Sequence, residues 1–434
     1  MANVVLKPSP DPTRLHELLV LHARFATNRP GGIRASLKFH DLSGIAIPRH
    51  LLNGIDMTGA RLREADLSHC DLTGAILYGA DLTGANLDGA ILVQADLRGA
   101  ILNRTRIRHA DLTDVDMREG MLLAQRAGSL VPTRARAATQ AVDAQLFGSR
   151  LAGARMARSS LGKVDLRDAD LSGSNFVGAD LRGANLTGCN LEKAKLIGAN
   201  LSGARLEGAI LSHADLTDAN LSDACLLGAL VDGMTAERAD LSRAQVTRTI
   251  DQLDLDVVTV FQQHKVWVDS GGREGVRADL SGLDLRNLDL RGHNLGAAVI
   301  SHADLRGADL SGAQLMMADL AMIDGRGAIL VGADLRGASL ERAALNGADL
   351  SSARLTPMDI RGGLRWPVNL TFARLVDARL TGAQLVNARM EGADLTGADM
   401  TNANLAGADL TGTGLGDAEP PPAGKGTPHE NRSR

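Results

Sequence analysis

The feature that most limits what this chain can become is a period of five. Ala80-Asp81-Leu82-Thr83-Gly84 is followed by Ala85-Asn86-Leu87-Asp88-Gly89, and the arrangement recurs along most of the 434 residues. With Leu as the centre of each unit, the 18 positions reached in steps of five from Leu37 to Leu122 are all Leu, Ile or Met. A second run, in another phase, takes 21 centres from Leu146 to Val246, with a mild lapse at Ala236 and one aromatic centre, Phe176. A third takes 28 from Leu280 to Leu415 and fails at Gly325 and Arg365. A step of five turns an α-helix through about 500°, which would scatter these centres over every helix face, so the repeats are not helical.

Two residues before each centre stands a small residue, usually Ala, with Cys70 and Cys189 as larger replacements. The order small, polar, large is the alternation of a very short strand with two side chains inward and one outward. The two residues that follow, often Ser, Thr or Arg and then Gly, suit a corner. Three-residue strands can satisfy their backbone only against copies stacked above and below, so the expected fold class is an all-β solenoid. Composition agrees: the chain has six Phe, two Trp and one Tyr, too few rings for ordinary globular cores of this size.

The A-(D/N)-L-x-x units quoted above resemble the pentapeptide-repeat proteins, over roughly three quarters of the chain. The resemblance implies a right-handed quadrilateral β-helix, with four units per square coil and Leu and Ala filling the interior. At that count the repeats would make roughly 17 coils, on the order of 80 Å if unbroken.

Interruptions divide the chain into a capping helix and loop (1–36), repeats (37–122), an insertion (123–145), repeats (146–250), an internal helix with a Gly-rich loop (251–279), repeats (280–415) and a tail (416–434). The insertion reads as a loop with a short helix that shifts the phase at one corner. Arg14 to Thr27 and Asp251 to Asp269 share a helical pattern, and His22-Ala23-Arg24-Phe25 aligns with His264-Lys265-Val266-Trp267. This is an internal duplication of a cap-plus-solenoid module, with Phe25, Phe261 and Trp267 marking short lid helices. A docking helix is the alternative role for these caps. The tail, with Pro420-Pro421-Pro422, has little to bury and is expected to be disordered.

No residue set suggests catalysis, a metal or a cofactor. The many Asp before the centres belong to a solvated face, partnered by Arg in stretches such as Asp304-Leu305-Arg306. His69, His109, His213 and His302 each replace a corner Gly, and Cys70 and Cys189 sit at inward sites. The anomaly is Trp366 with Arg361 and Arg365. An Arg cannot fill a dry centre, so the chain should bulge there and expose the Trp. The plainer reading is a neutral corner insertion; the functional one makes Trp366, Arg361 and Arg365, with Trp267, candidate partner contacts.

The expected function is a non-catalytic scaffold for a protein partner, with no membrane span, no direct nucleic-acid binding and room for a homodimer. Three Cys and the absence of a signal-like start suggest a cytoplasmic home. The family suggests an alternative, a DNA mimic that modulates or protects a type II topoisomerase (gyrase). The three runs carry net charges of about -3, 0 and -3, far short of duplex charge density. Mimicry would need acids and bases to segregate onto different faces.

Overall fold

A computed structural model describes residues 6–126, 129–249, 257–360 and 363–413. The expected tail at 416–434 and the helical residue Leu253 lie outside them. Parallel single-residue bridges join outward positions 20 apart, as in Asp41, Arg61, Asp81 and Ile101, so four five-residue units close one coil. Each face adds the same bonds: Leu62 N–H donates to the Asp81 carbonyl (2.7 Å) and Asp81 N–H to the Ala60 carbonyl (2.9 Å). At the corner Ala65 N–H closes a turn onto the Leu62 carbonyl (3.2 Å), and Glu64 between them has φ 56°. A type II turn demands such a left-handed residue, hence the abundance of Gly there. The chain is thus a right-handed quadrilateral β-helix with short capping helices.

Inward Leu and Ala stack into continuous cores, with Ala60, Leu62 and even Phe176 fully buried. Each buried Leu contributes roughly 2 kcal/mol. The failed centre at Gly325 has a local explanation. Ile323 occupies the small site two residues earlier, and a Cβ on Gly325 would stand 3.4 Å from Ile323 Cδ1 and 3.0 Å from Leu345 Cδ2. Large and small have exchanged places within one unit.

The chain forms two compact units, Met1–Gln245 and Val246–Arg434. Each has a helix at its start. In the first, α1 (Pro12–Ala26) is N-capped by Asp11, whose carboxylate accepts from Arg14 N–H (3.0 Å), and it buries Leu19 against the coils. In the second, α2 (Val257–Asp269) packs Val260 and Phe261 on its own core. Phe25 does not act as the expected lid: it is 40% exposed and stacks on His22 instead.

The insertion after the first run is a hairpin, which corrects the expected loop and short helix. Strands β1 (Gly120–Arg126) and β2 (Ser129–Ala137) pair antiparallel. Its base is fixed by the coil: Met121 N–H donates to Tyr78 Oη (2.5 Å), whose O–H donates to the Met121 carbonyl (2.9 Å). The Ala-rich stretch that suggested a helix is consumed elsewhere, since Ala141 and Ala144 are inward coil positions. These contacts override helix propensity. Asp116 bridges Arg155, 39 residues on, so the coils continue across the hairpin. The coil therefore leaves at Met117, not Leu122, and resumes at Ala141, before Leu146. In the second unit β3 (Arg248–Thr249) pairs in parallel with β4 (Leu283–Asp284) in the first repeat coil.

Candidate interaction surface

Many outward Asp residues meet either the hydroxyl two residues on or an Arg at that place. Thr83 donates through both N–H (3.1 Å) and O–H (2.6 Å) to Asp81 Oδ1, and Arg63 reaches Oδ2 at 2.6 Å. Burial pushes the Asp81 carboxyl up, but these donors outweigh it and hold it below the ordinary range. In the second unit Arg306 grips Asp304 with two nitrogens (2.9 and 2.6 Å) and reaches Asp324 in the next coil (3.3 Å). Arg286 and Arg326 repeat the motif on Asp284 and Asp324, making a ladder of alternating charge up one face. Asp289, gripped by Arg291, is held down to about 2 by that hydrogen bond. Acids and bases therefore share faces along these columns.

The histidines at corners have positive φ, 55° at His69 and 59° at His213. The rings of His69, His109 and His213 lie over the Gly of the next coil: a Cβ on Gly89 would meet His69 Nδ1 at 2.5 Å. Gly is thus needed there for room as well as for φ. Cys70 and Cys189 are fully buried, and burial pushes the Cys70 thiol up to about 11, away from the reactive thiolate. Among the described residues no three His, Cys, Asp or Glu are grouped to hold a metal ion.

The second insertion is also a hairpin, β5 (Met358–Ile360) with β6 (Leu364–Trp366), and Met358 lies opposite Trp366. Positions 360 and 365 are consequently not coil centres, although they keep the phase. Ser339 bridges Asn369 across 30 residues where 20 is the rule, so the insert is two units long and the period runs through it undisturbed. The hairpin leans on a corner. A Cβ on Gly337 would come within 2.8 Å of Met358 Cβ, 2.7 Å of Met317 Sδ and 3.4 Å of Trp366 Cδ1, so Gly is what lets the hairpin approach. Trp366 remains 53% exposed and Leu364 65%. Arg365 pairs with Asp359 across the strands (3.1 Å) instead of standing free, and Arg361 lies outside the described residues.

Trp267 is elsewhere, half-buried on α2, stacked on His264 at 5.6 Å and close to Gly272. His264 and its counterpart His22 are fully buried, which the sequence reading passed over, although their alignment was the signal that could have revealed them.

Eight segments match the family model described as pentapeptide repeats: 51–79, 80–118, 142–176, 174–212, 214–250, 278–315, 326–356 and 368–413. They span well over half of the chain. This protein belongs to the pentapeptide-repeat family. Family membership fits the 20-residue coil and the hairpins, which fall in the gaps between matched segments.

Among solved structures it is similar to HetL, a pentapeptide repeat protein involved in heterocyst differentiation regulation from the cyanobacterium Nostoc. That likeness has 30% identity, covers 51% of this chain and 93% of HetL, and has a TM-score of 0.27. It is also similar to QnrB1, a plasmid-mediated fluoroquinolone resistance protein, at 22% identity, 45% and 90% coverage and a TM-score of 0.22. A third is Rfr23 from the cyanobacterium Cyanothece, at 23% identity, 36% and 90% coverage and a TM-score of 0.17. No curated protein sequence matches the chain. No helix among the described residues is long and apolar enough to cross a membrane.

Proposed function

We propose that this pentapeptide-repeat protein is a non-catalytic scaffold that engages a protein partner through the β5–β6 hairpin, with Trp366 as the anchor. The observation carrying this reading is the exposure of Trp366 and Leu364 on a hairpin seated against a rigid corner. A large ring held in place without a partner is what an interface anchor requires. Arg365, already paired, serves to stiffen the hairpin, and Trp267 is committed to its cap. The cytoplasmic setting suggested by cysteine usage supplies the compartment in which to look.

The gyrase-directed DNA mimic gains no support from the faces. Arg286, Arg306 and Arg326 stand in the same columns as the Asp residues they neutralise, so those faces lack the dense negative field of a duplex. The scaffold reading is tested by quantitative affinity capture with the wild-type chain, Trp366→Ala and Leu364→Ser. A specific protein retained by the first and depleted at least tenfold with the other two is expected, the size of loss typical of an anchor worth more than about 1.4 kcal/mol. Identical captured sets from all three would remove the hairpin from the function.

A further inference from the structure

Both units begin with the same junction. In the first, Ala35 N–H donates to Nδ1 of His22 on α1 (3.1 Å). In the second, Ala278 N–H donates to Nδ1 of His264 on α2 (3.0 Å). Within the coils the N–H at this place, as at Ala60, donates to the carbonyl of the residue three before it, across the preceding corner. Here no coil corner precedes, and an imidazole supplies the acceptor. Each ring is fully buried and stacked on the ring three residues later, Phe25 at 5.7 Å or Trp267 at 5.6 Å. The residue before each Ala is an Arg whose Nε donates into the next coil, Arg34 to the Gly54 carbonyl (2.5 Å) and Arg277 to the Ala297 carbonyl.

An imidazole that accepts at Nδ1 has no proton there, so the neutral ring carries its proton on Nε2. In both rings Nε2 is buried and makes no hydrogen bond. A second proton would destroy the acceptor and place two N–H groups in a dry site, and the carbonyls that favour it, Leu52 for His22 and Gly296 for His264, are outweighed by burial. We propose that His22 and His264 are twin proton latches: protonation removes the acceptor for Ala35 and Ala278 and releases each capping helix from its first coil as pH falls.

The surroundings work in this direction. Burial lowers the affinity of His22 for a proton; the Leu52 carbonyl opposes this, and Arg34 adds to it. For His264 burial is again the main cause, Arg277 adds to it, and the Gly296 carbonyl opposes. The other charged groups of α1 (Arg14, His16, Glu17 and Arg24) are exposed, and on α2 Lys265 pairs with Asp269 at the surface (2.6 Å). The docked helix thus holds the neutral form, and an undocked one titrates near the ordinary value of about 6.5. Docking is complete above that pH, weakens as pH falls below it, and stops changing below the docked-state value. Carboxylates held below their ordinary range, such as Asp81, titrate below this window, so coil segments remote from the corner histidines should not respond in it.

The test is hydrogen exchange on the full chain at pH 7.5 and 5.0, corrected for intrinsic rates. Segments 12–26 with 33–37, and 257–269 with 276–280, are expected to lose protection on the order of tenfold, while coil segments without histidine, such as 165–186 and 329–350, hold theirs. His22→Gln offers an acceptor that does not titrate. It should abolish the response of α1 and leave that of α2, which serves as the internal control. In Trp366→Phe, Trp267 emission should fall with pH only while His264 is present. Equal cap protection at both pH values, loss in step with the coils, or a docked His22→Gln helix that still releases at pH 5.0 would overturn the proposal.

Discussion

At Ile323 and Gly325 the repeat looks broken in sequence but is intact in volume. The Ile side chain reaches from the small site toward the space that a central Leu would fill, and Leu345 packs from the next coil. Ile323→Ala should leave an uncompensated cavity and cost about 2–4 kcal/mol, and Gly325→Leu should overpack by about 1–3 kcal/mol. Combining the two restores the usual order, Ala then Leu. The double variant should therefore be more stable than either single one, a coupling of more than about 1 kcal/mol in a double-mutant cycle followed by urea unfolding. Additive losses would mean that the two sites do not share one space. Gly325 has no positive φ, so backbone strain does not confuse the measurement.

At the scale of elements, the hairpins show where sequence reading stops. Coils were legible because every unit repeats one pattern, and burial of Leu62 or Ala60 follows from its place in that pattern. The β1–β2 hairpin was misread because Ala-rich sequence favours a helix locally, whereas Tyr78, 43 residues earlier, fixes Met121 in a strand. The β5–β6 hairpin was anticipated as a bulge exposing Trp366, since Arg365 could not be a centre. Its extent was hidden because an insert of two whole units leaves the phase untouched. The pairing of Arg365 with Asp359 was not legible, because Asp359 precedes a turn that the period does not mark. The insert lengths also make a prediction. Excising 357–366 returns Ser339 and Asn369 to a 20-residue spacing, so the β-sheet circular dichroism and melting midpoint should persist while partner capture is lost. Excising eight residues instead would rotate every outward side chain out of register and unfold the coils that follow.

At the scale of the molecule, the core is two cores. Buried residues of the first unit run from Leu19 to Leu226 in one cluster, and those of the second from Ala278 to Leu395 in another. In a solenoid each coil touches only its neighbours, so a lesion spreads along the stack it belongs to. Leu186 and Leu310 are both fully buried centres, one in each cluster. Replacing either with Arg buries an unpaired charge, which no single coil can absorb. Leu186→Arg should therefore strip hydrogen-exchange protection from coils of the first unit while those of the second, including the Arg306 ladder, keep theirs. Leu310→Arg should give the mirror image. Each should leave one of two thermal transitions in place by calorimetry. A single transition lost entirely in both variants would show that the two modules, duplicated in sequence, fold as one cooperative body.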